Sequence, residues 1–202
     1  MIINDALKHY KINLNDEGIN YIKDIVKNVL NADLTLINGN KLLNKKIKLS
    51  DIIDNDKKAE MEFNFNLMNQ KFKNYCNGFI DLVFRQGDYF SILDWKSDGL
   101  NEDDFFSYSD FDSLKNHTDN HYSIQRVLYS YCLIKWLNSI YKEKDLEETF
   151  NRHFGGVYYV YLRGCNINSG NGIYSQTWDN FNDLKKAFDF IIKDRIGGNV
   201  YE

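Results

Sequence analysis

Apolar positions along this chain follow two periods. Ile19, Ile22, Ile25, Val26, Val29 and Leu30 recur every three or four residues, with Asp16 and Glu17 ahead of them and Lys23 and Lys27 among them. This spacing predicts a helix over 15–30, ended at Asn31. Leu34, Leu36 and Ile37 then run into Asn38-Gly39-Asn40, a turn signal, and Leu42, Leu43, Ile47 and Leu49 continue towards Ile52-Ile53. A short hairpin or loop and a brief helix are expected there. From Glu60 the period becomes two. Met61, Phe63, Phe65 and Leu67 alternate with Glu60, Glu62, Asn64 and Asn66, the pattern of a half-buried strand.

Two further strand-like runs, Gly78–Phe84 and Tyr89–Ser97, flank Gln86-Gly87-Asp88 and read as a hairpin. The stretch 98–120 is rich in Asp, Ser, Asn and Phe with little periodicity, so a long loop is expected. Ile124, Val127, Leu128, Tyr131, Ile134, Leu137 and Ile140 give a helix over 121–141 its broad apolar face. After a charged, partly helical connection, 156–162 is almost wholly β-forming and suits an interior strand. Another strand over 173–177 and a last helix, capped by Asp179 or Asn180 and closed at Gly197-Gly198, complete the chain. The expected class is α/β, with a central mixed sheet flanked by helices.

Asp81, Asp94 and Lys96 break the apolar pattern of the hairpin. Strand alternation points Asp94 and Lys96 to one face and Trp95 to the other. A carboxylate in an apolar strand is costly unless paired or bound to a cation. An Asp-x-Lys taken alone is more often an ion pair that orders a sheet. With a second strand aspartate one hairpin away, a metal site is the sharper reading. Carboxylates are acceptor-only oxygen ligands suited to Mg²⁺, and a lysine beside them can hold water or developing negative charge. Gln125 and Tyr129 lie four apart on the best helix and so share a face. Lys71 and Lys73 solvate a strand end or touch phosphate, and the first role is the commoner. His117 and His121 also lie four apart, but no acidic residue at suitable spacing supports a ligand pair.

The chain has 202 residues, 43% hydrophobic and 15% aromatic, which suits a folded domain and argues against disorder. A formal net charge of −4 excludes a surface that is basic throughout, so any nucleic-acid partner needs a local basic patch. Cys76, Cys132 and Cys165 form no Cys-x-x-Cys pair, which argues against a zinc knuckle or a disulfide framework. Reduced thiols and a cytoplasmic setting are expected. No apolar run reaches membrane-spanning length, so no membrane partner is expected. No glycine-rich phosphate loop is present.

Gly78-Phe79-Ile80-Asp81-Leu82-Val83-Phe84-Arg85 followed by Leu93-Asp94-Trp95-Lys96-Ser97 resembles the metal-dependent nuclease core written PD-(D/E)xK. More narrowly it resembles the C-terminal nuclease domain of the RecB family, the β subunits of exodeoxyribonuclease V. Tyr122-Ser123-Ile124-Gln125-Arg126-Val127-Leu128-Tyr129, His153-Phe154-Gly155-Gly156-Val157 leading to Tyr161-Leu162-Arg163-Gly164, and Gly172-Ile173-Tyr174 support the narrower match. The resemblance implies a restriction-endonuclease-like core over 59–202, with 1–58 a helical, truncated part of the same domain. It implies a Mg²⁺-dependent exodeoxyribonuclease that hydrolyses DNA in double-strand break repair and recombination. One or two ions, replaceable by Mn²⁺ or Ca²⁺, would be held by Asp81, Asp94 and the backbone carbonyl of Trp95. Glu60, three residues before Phe63, is a further candidate and is preferred to Glu62, whose spacing to Phe65 is the same. Lys96 would be catalytic, with Gln125 and Tyr129 beside it. The implied partners are single-stranded DNA ends from unwound duplex and RecC-like and RecD-like subunits.

One departure stands out. RecB-like nucleases draw a metal-binding histidine from a helix well upstream of the hairpin, and the helix over 15–30 has none. The fragment alone is therefore expected to bind metal weakly and cut poorly. A nuclease-like module kept for binding or regulation is the alternative, although Asp81, Asp94 and Lys96 are all retained.

Overall fold

The computed structural model describes residues 2–38, 41–69, 72–99, 108–167 and 170–196. Two helices, α1 (Ile2–His9) and α2 (Asp16–Asn31), lead into a two-stranded antiparallel ribbon of β1 (Leu34–Asn38) and β2 (Lys41–Ile47). Asn15 starts α2 by accepting the Gly18 N–H, a hydrogen bond that satisfies one of the orphan donors of the first turn. The main sheet has five strands in the order β3 (Lys57–Asn69), β4 (Phe72–Gln86), β5 (Tyr89–Lys96), β6 (Phe154–Tyr161) and β7 (Ile173–Gln176). Among the described residues only β5 and β6 pair in parallel, so the sheet is mixed. The long crossover that a parallel pair requires is supplied by α3 (Phe111–Tyr141) and α4 (Leu146–His153). A last helix, α5 (Phe181–Ile196), follows β7. Its first turn is capped by Asn180, which accepts the Asp183 N–H.

The β4–β5 hairpin turns through Gly87 and Asp88, and Gly87 takes φ +63°, a value that needs no side chain. Each face of the sheet has its own core. On one face Ile80, Val83, Ile92, Val157 and Tyr159 pack with Val127, Leu133, Ile134 and Leu137 of α3 and Leu184 and Phe188 of α5. On the other, Leu82, Phe84, Leu93, Tyr158 and Val160 pack with Val29 of α2, Leu34, Leu36 and Ile37 of β1, and Ile47 of β2. The N-terminal elements, which carry no chemistry in their sequence, therefore cover the central strands on one side of the sheet.

The sequence reading is corrected at α3, which begins at Phe111 rather than near His121. The expected loop is ten residues shorter, and its remaining centre, 100–107, lies outside the described residues. Asp110 caps the helix by accepting from the Asp112 and Ser113 N–H groups. The apolar period was hidden because Thr118 fills a fully buried position on this first stretch and Phe111 is exposed. Thr118 satisfies its hydroxyl by donating to the Leu114 carbonyl and accepting from the Tyr161 hydroxyl. Met61 and Phe63 face α3 as the alternation predicts. The side chains of Phe65, Leu67, Lys71, Lys73 and Cys76, and the Gly197-Gly198 stop, lie outside the described residues.

Candidate active site

The candidate site lies where β4 and β5 stop pairing. Their register runs from Gln86 opposite Tyr89 to Leu82 opposite Leu93, and one further step sets Asp81 across from Asp94. At that step a side chain replaces the backbone ladder: the Trp95 N–H donates to Asp81 Oδ2 at 2.8 Å. On the other side of β5, the Lys96 carbonyl accepts from the Leu162 N–H at 2.8 Å. Because polar backbone groups alternate along a strand, the Trp95 carbonyl points the opposite way, towards β4 and Asp81. The Trp95 indole lies in the opposite-face core, as predicted.

Asp94 and Lys96 project towards α3, and both are buried, at 3% and 8% exposure. Lys96 Nζ lies 2.5 Å from Asp94 Oδ2. It also donates to Gln125 Oε1 at 3.1 Å, while Gln125 Nε2 donates to Asp94 Oδ1 at 2.9 Å. The Gln125 amide thus closes a ring with the ion pair. Burial raises the Asp94 carboxyl above its ordinary value; Lys96 and Gln125 oppose that rise, and the Asp81 charge adds to it. Asp94 is therefore a desolvated carboxylate beside a second carboxylate.

Tyr129 stands one helical turn beyond Gln125. Its ring meets Phe63 edge-on, with centroids 5.4 Å apart. Phe63 lies over Gly78, where an added Cβ would come within 2.7 Å of the ring, so the glycine makes room for it. Glu60 is exposed, and the register on either side sets it opposite Asp81. Its φ of +48° is rare for a residue with a side chain and marks local strain at this end of the sheet.

Three site neighbours escaped the sequence reading. The Lys96 ammonium sits 3.5 Å from the centre of the Tyr122 ring. The Tyr122 hydroxyl donates to Asp98 Oδ2 at 2.8 Å, and His117 Nε2 lies 2.8 Å from the same oxygen. A carboxylate only accepts, so His117 carries its proton on Nε2. His117 thus has an acidic partner that its sequence neighbourhood did not suggest. Asp98 is 19 residues away in sequence, and the fold joins the end of β5 to the first turns of α3. Tyr122 itself was legible in principle, three residues before Gln125 on the same helix face.

Among the described residues, no group of three or more His, Cys, Asp or Glu side chains is placed to hold a metal ion. Two carboxylates and one backbone carbonyl converge instead. These are hard oxygen donors, and the mutual repulsion of Asp81 and Asp94 is what a divalent cation would relieve. The donor set fits Mg²⁺.

A five-stranded mixed sheet flanked by helices is the architecture of a restriction-endonuclease-like core. No family model matches the chain. It is similar to the RecBCD enzyme subunit RecB of several bacteria. Identity to that of Escherichia coli K12 is 38% over 87 residues, 43% of this chain and 7% of the relative. For Buchnera aphidicola of Schizaphis graminum it is 40% over 90 residues, 45% of this chain and 7% of the relative. For Buchnera aphidicola of Acyrthosiphon pisum it is 27% over 193 residues, 82% of this chain and 15% of the relative. The chain thus spans a small part of these relatives' length. No helix among the described residues is long and apolar enough to cross a membrane.

Proposed function

We propose that this chain is the nuclease portion of a RecB-type subunit, an exodeoxyribonuclease that hydrolyses DNA phosphodiester bonds with Mg²⁺. The observation that carries the reading is the corner where Asp81, Asp94 and the Trp95 carbonyl converge beside a buried lysine. Asp81, Asp94 and that carbonyl would hold the ion, with Glu60 as the nearest further carboxylate by register. Bound there, the ion would lower the pKa of a water and offset charge on the scissile phosphate. Lys96 is placed to attract a phosphate oxygen or orient the water. Gln125 holds both Asp94 and Lys96, so it fixes the spacing of ligand and cation. Tyr129, braced on Phe63 one turn further along α3, would support Gln125.

Similarity to RecB subunits supports a place in a RecBCD-type assembly in the cytoplasm, acting in double-strand break repair and recombination. The substrate in that setting is the single strand released from unwound duplex, and the companions are RecC-like and RecD-like subunits. ATP would be consumed elsewhere in such a chain.

The test is Asp81→Ala in this chain and in a longer chain that carries the preceding segment of a RecB relative. Calorimetric Mn²⁺ titration and degradation of single-stranded DNA are the two readouts. The reading expects metal binding and cutting in the parent, stronger in the longer chain, and loss of both in Asp81→Ala. Unchanged cutting in Asp81→Ala would overturn the site. A longer chain that folds but neither binds metal nor cuts would favour the binding-module alternative.

A further inference from the structure

The Lys96 ammonium has only a few contacts, and one of them is at odds with the proposed chemistry. It is shared between Asp94 Oδ2, Gln125 Oε1 and the face of Tyr122. If Asp94 turns to a cation, the ammonium loses its anionic anchor and is repelled by the ion. Gln125 Oε1 remains, but that amide is itself oriented by Asp94, so a second hold on the ammonium is needed. The Tyr122 ring is built for this. Its hydroxyl is tied to Asp98, whose same oxygen is held by His117, and its ring stacks on Tyr159 with centroids 5.8 Å apart and planes 22° apart. Anchored at the tip and along one face, the ring cannot swing away from Lys96. The electron-rich face of an aromatic ring attracts an ammonium without neutralising it.

We infer that Tyr122, locked by Asp98 and His117, is a positioning residue that keeps the Lys96 ammonium at the site when Asp94 is engaged elsewhere. The inference rests on the nuclease reading for its purpose but not for its geometry. His117 and Asp98 act through the ring, at its hydroxyl.

The test uses the full chain as wild type, Tyr122→Phe and Tyr122→Leu, with Lys96→Met to assign the Lys96 signal. In ¹⁵N-lysine spectra the Lys96 Nζ resonance should be displaced upfield by the ring current in wild type and Tyr122→Phe. In Tyr122→Leu that displacement should disappear. On single-stranded DNA with Mg²⁺, Tyr122→Leu should lose about 10²-fold in kcat, the scale of a small misplacement of a reacting group, with KM unmoved. Tyr122→Phe, which keeps the ring but loses the hydroxyl's tie to Asp98, should fall between wild type and Tyr122→Leu. Parental cutting by Tyr122→Leu, or a Lys96 resonance at its ordinary position in wild type, would overturn the inference. Equal losses in Phe and Leu variants would overturn it too, because the ring would then not be what matters. If the wild-type chain does not cut, the spectra alone decide: a displacement lost in Tyr122→Leu supports the clamp, and one that persists there overturns it. Either way the nuclease reading is judged separately, by the wild-type assay.

Discussion

Tyr158 and Tyr159 are neighbours on β6, both almost fully buried, and they point to opposite faces of one sheet. Tyr158 belongs to the dry face. Its hydroxyl donates to the Thr35 carbonyl at 2.8 Å and accepts from the Ile37 N–H at 3.1 Å. It therefore stitches β1 to the sheet. Tyr159 belongs to the other face, where it stacks with Tyr122 near the Lys96 ammonium. Burial raises both phenols far above their ordinary pKa, so both stay neutral at neutral pH. Alternation along a few strands has thus separated two tasks. One face is finished with apolar side chains and satisfied hydroxyls. The other keeps the Asp94 carboxylate and the Lys96 ammonium out of water beside the half-buried Asp81, at a cost in stability.

Substitutions should break the two faces in different ways. The largest effect is expected at the ion pair. Asp94→Ala strands the buried Lys96 ammonium and should destabilise the chain by about 3–5 kcal/mol, the usual cost of leaving one buried partner uncompensated. Asp94→Ala/Lys96→Met, which removes both charges, should recover most of that loss in urea unfolding and remain inactive. A double variant as unstable as the single one would show that packing, not charge, holds this face. On the dry face no second substitution should rescue the first. Tyr158→Phe leaves the Thr35 carbonyl and the Ile37 N–H without their partner and should cost about 1–3 kcal/mol. DNA cutting per folded molecule should not change. A selective loss of activity in Tyr158→Phe would mean that the two faces are not independent.

This division explains which parts were legible in the sequence. Asp81, Asp94 and Lys96 could be read as a cluster because a charge in an apolar strand stands out locally, and Gln125 only through the Gln-x-x-x-Tyr spacing of the resembled family. The strands and most helices followed from their periods. Asp98, His117 and Tyr122 could not be read as a set, because their meeting depends on how the end of β5 faces the start of α3. That start was itself obscured by Thr118 in a core position. The dry face was opaque for a different reason. The apolar residues of β1 and β2 give no sign of which surface they will cover until the sheet exists.

The smallest expected effect lies in the pH dependence of stability, where the carboxylates on the α3 side of the sheet pull in opposite directions. Asp119 accepts from Arg126 at 2.7 Å and from Lys115 at 2.8 Å. Burial alone would raise its pKa, but those two partners outweigh burial and hold it below the usual 3.8. Asp98 is lowered in the same way by His117 and Tyr122. A lowered carboxylate adds stability that is fully present above 3.8 and is lost as pH falls through its folded value. Asp94 is raised, so between 3.8 and its folded value the native state holds that proton more tightly than the unfolded chain. Its contribution therefore falls as pH rises through that window. Urea midpoints of wild type and Asp119→Asn across the acid range should separate the two effects. Asp119→Asn should flatten the limb below pH 3.8, by under about 1 kcal/mol because the pair is partly exposed and screened. It should leave the limb above 3.8 unchanged, where the opposite slope belongs to Asp94. An acid limb identical to wild type in Asp119→Asn would mean that Lys115 and Arg126 do not hold the aspartate ionised. A limb altered above 3.8 as well would mean that Asp119 and Asp94 titrate as one network through α3.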